Sequence, residues 1–330
     1  MSEHFPVLSD RFGFLTEVAG PGPVCVIGHA RPDGDCVGSQ IATSGLLAHF
    51  GVENFMTNAD RVPHSLRYLQ GSDSISIFDR QALGDAALLY VDCADEGRVG
   101  PKTSISLEDS RRLGNVDHHI SNTNFAEFNI VDHGASATCE VLAGIAFDLR
   151  IPIDSGLAQV LYTGIMTDTG RFGYAATSSR VFELCARLIE CGASPQLAAE
   201  NLYENVSLAK LKLLERFLGT LEYACDGKVC IGELRQRDFL ETGTSYIDTE
   251  GFVDYARSVS DVSVGVLLEE RKTTTKGSLR AKRKEIRVDR IAAQFGGGGH
   301  ACAAAMSSPL SLEELKSGLI ESLRSRVNCR

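Results

Sequence analysis

Short apolar runs alternate with amphipathic stretches along the first half of the chain. VCVIGH (24–29) reads as a strand and SQIATSGLLAHF (39–50) as a helix. ALLYVD (87–92) and LGNVDHH (113–119) read as further buried strands. Helical patterns follow near 136–149, 155–167 and 178–191. This alternation predicts an α/β fold, with a mainly parallel sheet and helices on both faces. Ligands of such sheets bind beyond the carboxyl ends of the strands.

After about residue 190 the pattern changes. Residues 194–223 look helical throughout, enough to link two lobes. VCIGEL (229–234), VSVGVLLEE (262–270) and SLRA (278–281) then read as strands. VDRIAAQF (288–295) and LEELKSGLIESLRSRV (312–327) read as helices. A smaller mixed α/β domain is expected here, and 330 residues are enough for two cores.

Composition narrows the class. A hydrophobic fraction of 43% and a charged fraction of 23% are those of a globular protein. No stretch is long and apolar enough to span a membrane, and the first residues do not read as a signal peptide. A cytoplasmic enzyme is the expectation. The ten cysteines lack any C-x-x-C spacing, so they read as small buried hydrophobes in a reduced compartment. A net charge of -10 argues against coating long duplex nucleic acid. It leaves room for one local positive pocket, and residues 271–290 are dense in Lys and Arg.

The candidate chemistry lies where apolar runs end. GHARPDGD (28–35), VDCAD (91–95) and VDHH (116–119) all place acids or histidines at strand ends. Together they bring His29, Asp33, Asp35, Asp92, Asp117, His118 and His119 to one rim. Asp168, in TGIMTDTGRF (163–172), ends an apolar helical run. Each motif alone is ordinary: a polar loop, a helix cap, a core histidine. Jointly they predict a metal site, because clustered carboxylates cannot all ionise without a cation. The mixed oxygen and nitrogen donors suit Mn²⁺. One aspartate can bridge two ions about 3.5–4 Å apart, a spacing that suits attack on phosphorus. Asp33 and Asp35 are expected to share a side of an extended loop. His118 and His119, as neighbours on an extended chain, are expected to point apart and do different jobs. Asp95 reads as structural; Ser136 and Thr138 either contact the site or cap the next helix, with capping the stronger reading.

GHARPDGDCVGS, VDCAD, NVDHHISN and YTGIMTDTGRF, in that order, resemble the motifs of the DHH phosphoesterase family. The resemblance covers nearly the whole chain. It implies two divalent ions, usually Mn²⁺, with Mg²⁺, Co²⁺ or Fe²⁺ as substitutes. His29 and Asp33 would hold one; Asp35, His118 and Asp168 the other; Asp92 would bridge them. A water or hydroxide between the ions would be the nucleophile. His119 would face the substrate phosphate as charge donor or general acid, and Asp117 would orient a histidine. The implied division is 1–190 for the catalytic domain, 191–217 for a helical linker and 218–330 for a DHH-associated substrate domain. The active site would lie in the cleft between the domains.

GGGGH, Gly296–His300, follows the VDRIAAQF pattern. Glycines alone are a loop after a helix, but here they can also bring backbone N–H groups against a ligand. The stretch resembles the DHH-associated domain's nucleotide loop. By that likeness Gly297, Gly298, Gly299 and His300 would bind substrate, with Arg280 as the domain's arginine and Arg283 as a neighbour. After His300 the chain departs from the family pattern, reading ACAAAM with no early lysine and Ala305 where a glycine is usual.

The compact two-domain form resembles the nanoRNase and pAp phosphatase group. Its substrates would be short RNA and the 3′-phosphate of 3′-phosphoadenosine 5′-phosphate. The alternatives are a phosphodiesterase of cyclic or linear di-adenylate and, in another class, an inactive nucleotide-binding regulator. Expected partners are short RNA or small nucleotides, with no long duplex, no membrane and a possible homodimer.

Overall fold

The computed structural model describes residues 4–20 and 22–327. The chain divides into two compact units, Met1–Asn205 and Val206–Arg330.

The first unit is built on six parallel strands: β1 (Val24–Ile27), β2 (Asn54–Asn58), β3 (Ile75–Ile77), β4 (Ala87–Val91), β5 (Arg112–Asp117) and β6 (Phe128–Val131). Their order is β3-β2-β1-β4-β5-β6. The order reverses direction between β1 and β4, which opens a crevice at their carboxyl ends. Both strands are buried along their whole length, as their uniform apolar sequences require.

One face of the sheet is covered by the helices Gly34–His49, Thr138–Asp148 and Ser155–Asp168, joined in one large core. The three pack closely. A Cβ on Gly164 would lie 2.2 Å from Cys139 Sγ and 3.0 Å from Asp35 Oδ1. The other face carries a smaller core around Tyr90, Leu88 and Leu107.

The predicted elements recur with shifted ends. The helix after β1 begins at Gly34, five residues earlier than its apolar pattern suggested, because Asp33 caps it by accepting from the Cys36 N–H at 3.0 Å. Asp33 and Asp35 therefore do not share an extended loop. The stretch 194–223 is not one helix. Helix Pro195–Ala199 and the wide turn Glu200–Glu204 close the first unit, with Ala198 in its core. Helix Leu208–Gly219 opens the second, burying Leu213 and Phe217. The boundary at Asn205 thus falls inside the stretch read as a linker.

The second unit holds β7 (Glu222–Ala224), β8 (Val229–Leu234), β9 (Val264–Glu270), β10 (Thr275–Ala281), β11 (Gly298–His300) and β12 (Ala303–Ser308). Their order is β11-β12-β10-β9-β8-β7, with β8 and β9 parallel and the other pairs antiparallel. Two cores flank this mixed sheet. One includes Leu312, Leu315, Leu319 and Leu323 of helix Leu312–Val327, at helical spacing; the other includes Phe217 and Phe252. No helix among the described residues is long and apolar enough to cross a membrane.

Candidate metal centre

The rim residues of the first unit converge. His29 follows β1 and Asp92 follows β4, and these neighbouring strands bring His29 Nε2 within 3.4 Å of Asp92 Oδ2. Asp92 has φ +56°, a left-handed conformation that aspartate tolerates better than most residues. That turn ends the strand. The carboxylate then also faces His118 Nε2 at 3.6 Å and His119 Nδ1 at 3.7 Å. His118 Nε2 lies 3.2 Å from Asp168 Oδ2, at the end of helix Ser155–Asp168. His29 Nε2 is 3.7 Å from Asp33. Donor atoms of Asp35, His118 and Asp168 lie within 4.8 Å of one another, as do those of Asp92, His118 and His119.

Asp35 is fully buried, and both its oxygens are engaged by a second helix. The Thr138 N–H donates to Oδ2 at 2.7 Å and the Cys139 N–H to Oδ1 at 2.8 Å. A carboxylate at a helix N-terminus is favoured by the aligned peptide dipoles.

The histidines are oriented from behind. His29 Nδ1 donates to the Ala30 carbonyl at 2.9 Å and His118 Nδ1 to the Ala135 carbonyl at 3.3 Å. Each Nδ1 must carry the proton, so each Nε2 faces the acids, able to donate to them when protonated and to act as a ligand when not. His119 Nδ1 instead meets the buried Asp117 carboxylate at 2.7 Å. Asn122 donates to the other oxygen of Asp117 at 2.6 Å and fixes it.

The two adjacent histidines do not point apart. Their ring centroids are 4.6 Å from each other and both rings approach Asp92. Side-chain alternation stops because β5 ends at Asp117, before the pair begins. Their settings differ: His119 Nδ1 meets the Asp117 carboxylate and His118 Nδ1 the Ala135 carbonyl.

Charge crowding shows in the proton affinities. Burial, then Asp92 and Asp168, push Asp35 well above the usual carboxylate range. Burial, then Asp92 and Asp33, push Asp168 up to about 8. Burial also opposes ionisation of Asp92, but the His29 hydrogen bond and the charges of His29, His118 and His119 bring it below its ordinary value. Burial works against the His29 imidazolium; Cys36, Asp33 and Asp92 outweigh it and raise its proton affinity. A divalent cation relieves this crowding better than protons do, and the oxygen and nitrogen donors suit Mn²⁺ or Mg²⁺. The residues fit such ions.

Two contributors were read from the sequence as packing or capping residues. Thr138 is the first residue of its helix, and its hydroxyl donates to Asp92 Oδ1 at 3.0 Å rather than capping. Ser136 does act locally, its N–H and hydroxyl both donating to Glu140. Cys36 offers its sulfur in a group with His29 and Asp92. Burial holds that thiol protonated, up to about 11. The signal was its place next to Asp35. Asp95 is structural as expected, capping the turn Glu96–Val99.

In the second unit the glycine run divides. A Cβ on Gly297 would meet the Ala305 carbonyl oxygen at 2.2 Å, and one on Gly299 the Ala303 oxygen at 2.5 Å. These two glycines are required by the pairing of β11 on β12. Gly298 faces open space and β11 is the edge of the sheet. The His300 side chain lies outside the described residues. Arg280, half-buried on β10, donates to the Leu279 carbonyl, while Arg283 is exposed; neither has an acidic partner among the described residues. The basic stretch is otherwise partly spoken for: Arg271 and Lys276 pair with buried Glu269, and Arg287 with Asp289.

Known proteins share this organisation. Residues 23–165 match the DHH family, N-terminal domain, and residues 226–328 the DHHA1 domain. The chain is 28% identical over 321 residues to a bifunctional oligoribonuclease and PAP phosphatase NrnA of Thermus thermophilus, covering 96% of this chain and 95% of that one. An exopolyphosphatase-related protein from Bacteroides fragilis has the same fold, with a TM-score of 0.88, 24% identity and 96% of each chain covered. RecJ from Thermus thermophilus, crystallised with Mn²⁺, aligns at a TM-score of 0.53 and 14% identity over 98% of this chain and 55% of its own.

Proposed function

Because this chain belongs to the DHH family and carries its DHHA1 domain, we propose that it is a divalent-metal-dependent phosphoesterase. Its substrates are short oligoribonucleotides and the 3′-phosphate of 3′-phosphoadenosine 5′-phosphate. The observation that carries this reading is Asp92, one carboxylate facing three imidazoles between two further groups of acids. The relative named as an oligoribonuclease and PAP phosphatase, similar along nearly its whole length, supports the substrate class.

His29 and Asp33 would hold one cation, Asp35, His118 and Asp168 a second, and Asp92 would serve both. Bound there, the cations supply charge neutralisation at phosphorus and lower the pKa of a water. Mn²⁺ is the ion we assign. The chain's own residues do the rest. The amides of Thr138 and Cys139 fix Asp35, and the Thr138 hydroxyl fixes Asp92. Burial disfavours a charged His119, yet the Asp117 hydrogen bond and the charge of Asp92 raise it to about 9. Its Nδ1 is committed to Asp117 at 2.7 Å, which leaves Nε2 for the substrate side. Its Nε2–H is the proton donor for the leaving oxygen. In the second unit, Arg280, Arg283, Gly298 and His300 would be the nucleotide-binding residues.

The test is hydrolysis with Mn²⁺ of an RNA dinucleotide, 3′-phosphoadenosine 5′-phosphate and cyclic di-adenylate side by side. Loss of either of the first two, abolished by Asp92→Ala, supports the proposal. Preference for the cyclic compound transfers the protein to di-adenylate turnover. No turnover of any of them refutes the enzyme reading.

A further inference from the structure

Immediately after Asp168 the backbone turns in an unusual way. Gly170, Arg171 and Phe172 all have positive φ, at 56°, 59° and 63°. For arginine and phenylalanine this is unfavourable, and strain of this kind collects at functional sites. The turn is held on several sides. The Phe172 N–H donates to Thr169 Oγ1 at 3.1 Å, and the Phe172 ring lies between those of Tyr162 and Phe182. The Arg171 guanidinium stacks 3.6 Å from the centroid of Tyr203.

The product of this turn is the placement of one aromatic ring. The Tyr174 N–H donates to the Thr169 carbonyl at 3.0 Å, which folds the chain back beside the last turn of the Asp168 helix. The phenol end of Tyr174 rests against Gly170, where a Cβ would come within 2.4 Å of Cζ. The ring is thus seated on backbone, yet it remains 53% exposed. Exposed Ala175 and Ala176 follow it and leave space beside it. A bulky apolar ring held in place and left in solvent costs little further entropy when a flat ligand covers it. The neighbouring guanidinium has no carboxylate partner among the described residues and adds positive charge.

We infer that Tyr174 is a stacking platform for the nucleobase next to the phosphate held at Asp168, with Arg171 steadying the adjoining backbone. The inference rests on the phosphoesterase reading for the position of that phosphate. It makes Tyr174 a specificity determinant, favouring substrates that carry a base over bare sugar phosphates. Base stacking on an aromatic side chain tolerates every base, so no sequence preference is expected from it.

The test compares the full-length wild type, Tyr174→Phe and Tyr174→Leu, each with Mn²⁺. Binding of an RNA dinucleotide with a non-hydrolysable linkage is followed by calorimetry, beside the same compound lacking its bases. Hydrolysis of the ordinary dinucleotide is measured in parallel. Tyr174→Leu is expected to weaken dinucleotide binding roughly 5- to 100-fold, to leave the abasic compound unchanged and to raise KM more than it lowers kcat. Tyr174→Phe should match the wild type. Equal binding by wild type and Tyr174→Leu, or equal losses on both compounds, overturns the platform. Wild-type binding with the expected Tyr174 dependence but no hydrolysis overturns the oligoribonuclease reading and leaves the platform standing. No binding to the wild type overturns both.

Discussion

Thr138 donates its hydroxyl to Asp92 at 3.0 Å while its backbone N–H donates to Asp35 at 2.7 Å. One residue thereby sets the orientation of two candidate ligands, one in the first turn of helix Gly34–His49 and one just after β4. Thr138→Val keeps the shape and the N–H but removes the hydroxyl. Supporting hydrogen bonds of this kind are worth about 10–100-fold in metal affinity. A Mn²⁺ titration of Thr138→Val should show a loss in that range, and Thr138→Ser should restore most of it. Unchanged affinity in Thr138→Val would remove the residue from the site.

Asp92→Ala separates stability from metal binding. Without a cation, Asp92 raises the ionisation cost of Asp35 and Asp168. Its removal relieves repulsion while leaving His29 and His118 with fewer acidic neighbours. The metal-free variant should melt close to the wild type, but saturating Mn²⁺ should no longer raise its Tm. A full Mn²⁺-induced shift in the variant would show that the ion binds elsewhere.

Stability without metal should fall as pH rises. Asp168 titrates near 8 in the folded chain against about 3.9 unfolded, and Asp35 is shifted the same way. Between those values the native state holds more protons than the unfolded one, so its stability drops with pH. His119, near 9 when folded against about 6.5 unfolded, adds the same sign over a higher window. Denaturation midpoints with chelator present should therefore decline from pH 5 to pH 9. Mn²⁺ should flatten or reverse the trend, because binding requires deprotonated acids. A midpoint rising with pH in chelator contradicts the crowded-acid picture.

The glycine run offers a contrast within two residues. Gly297→Ala forces a Cβ into the Ala305 carbonyl and should cost about 1–3 kcal/mol, as overpacking does. Gly298→Ala meets nothing and should leave Tm unchanged. Nucleotide binding weakened in Gly298→Ala at constant Tm supports a ligand role for this edge strand. Unchanged binding assigns the run to folding alone.

The metal centre was largely legible because its residues interrupt apolar runs. His29, Asp92 and the pair His118–His119 stand out where buried strands stop, and Asp168 where a buried helix stops. Adjacency was harder to read. β2, β3 and β6 are short and half-polar, so the sheet order was hidden, and with it the pairing of β1 with β4 that joins His29 to Asp92. Thr138 was weighted towards capping because a hydroxyl before a helix commonly caps it, while Cys36 is buried as read. The orientation of the histidine pair failed for a local reason: the strand ends one residue too soon for alternation to apply. The glycine loop was read as ligand-facing, and strand pairing accounts for the glycine at two of its positions.

The anchoring of Asp35 by a helix start 103 residues downstream has a consequence for synthesis. The central strand β1 is made early, yet its metal-facing residues have no complete surroundings until residues 138 and 168 have left the ribosome. A partly made chain carries His29, Asp33 and Asp35 without the partners that orient them. Contacts of such long sequence separation form late in folding. On the proposed reading, the site would be complete only once the first unit is whole.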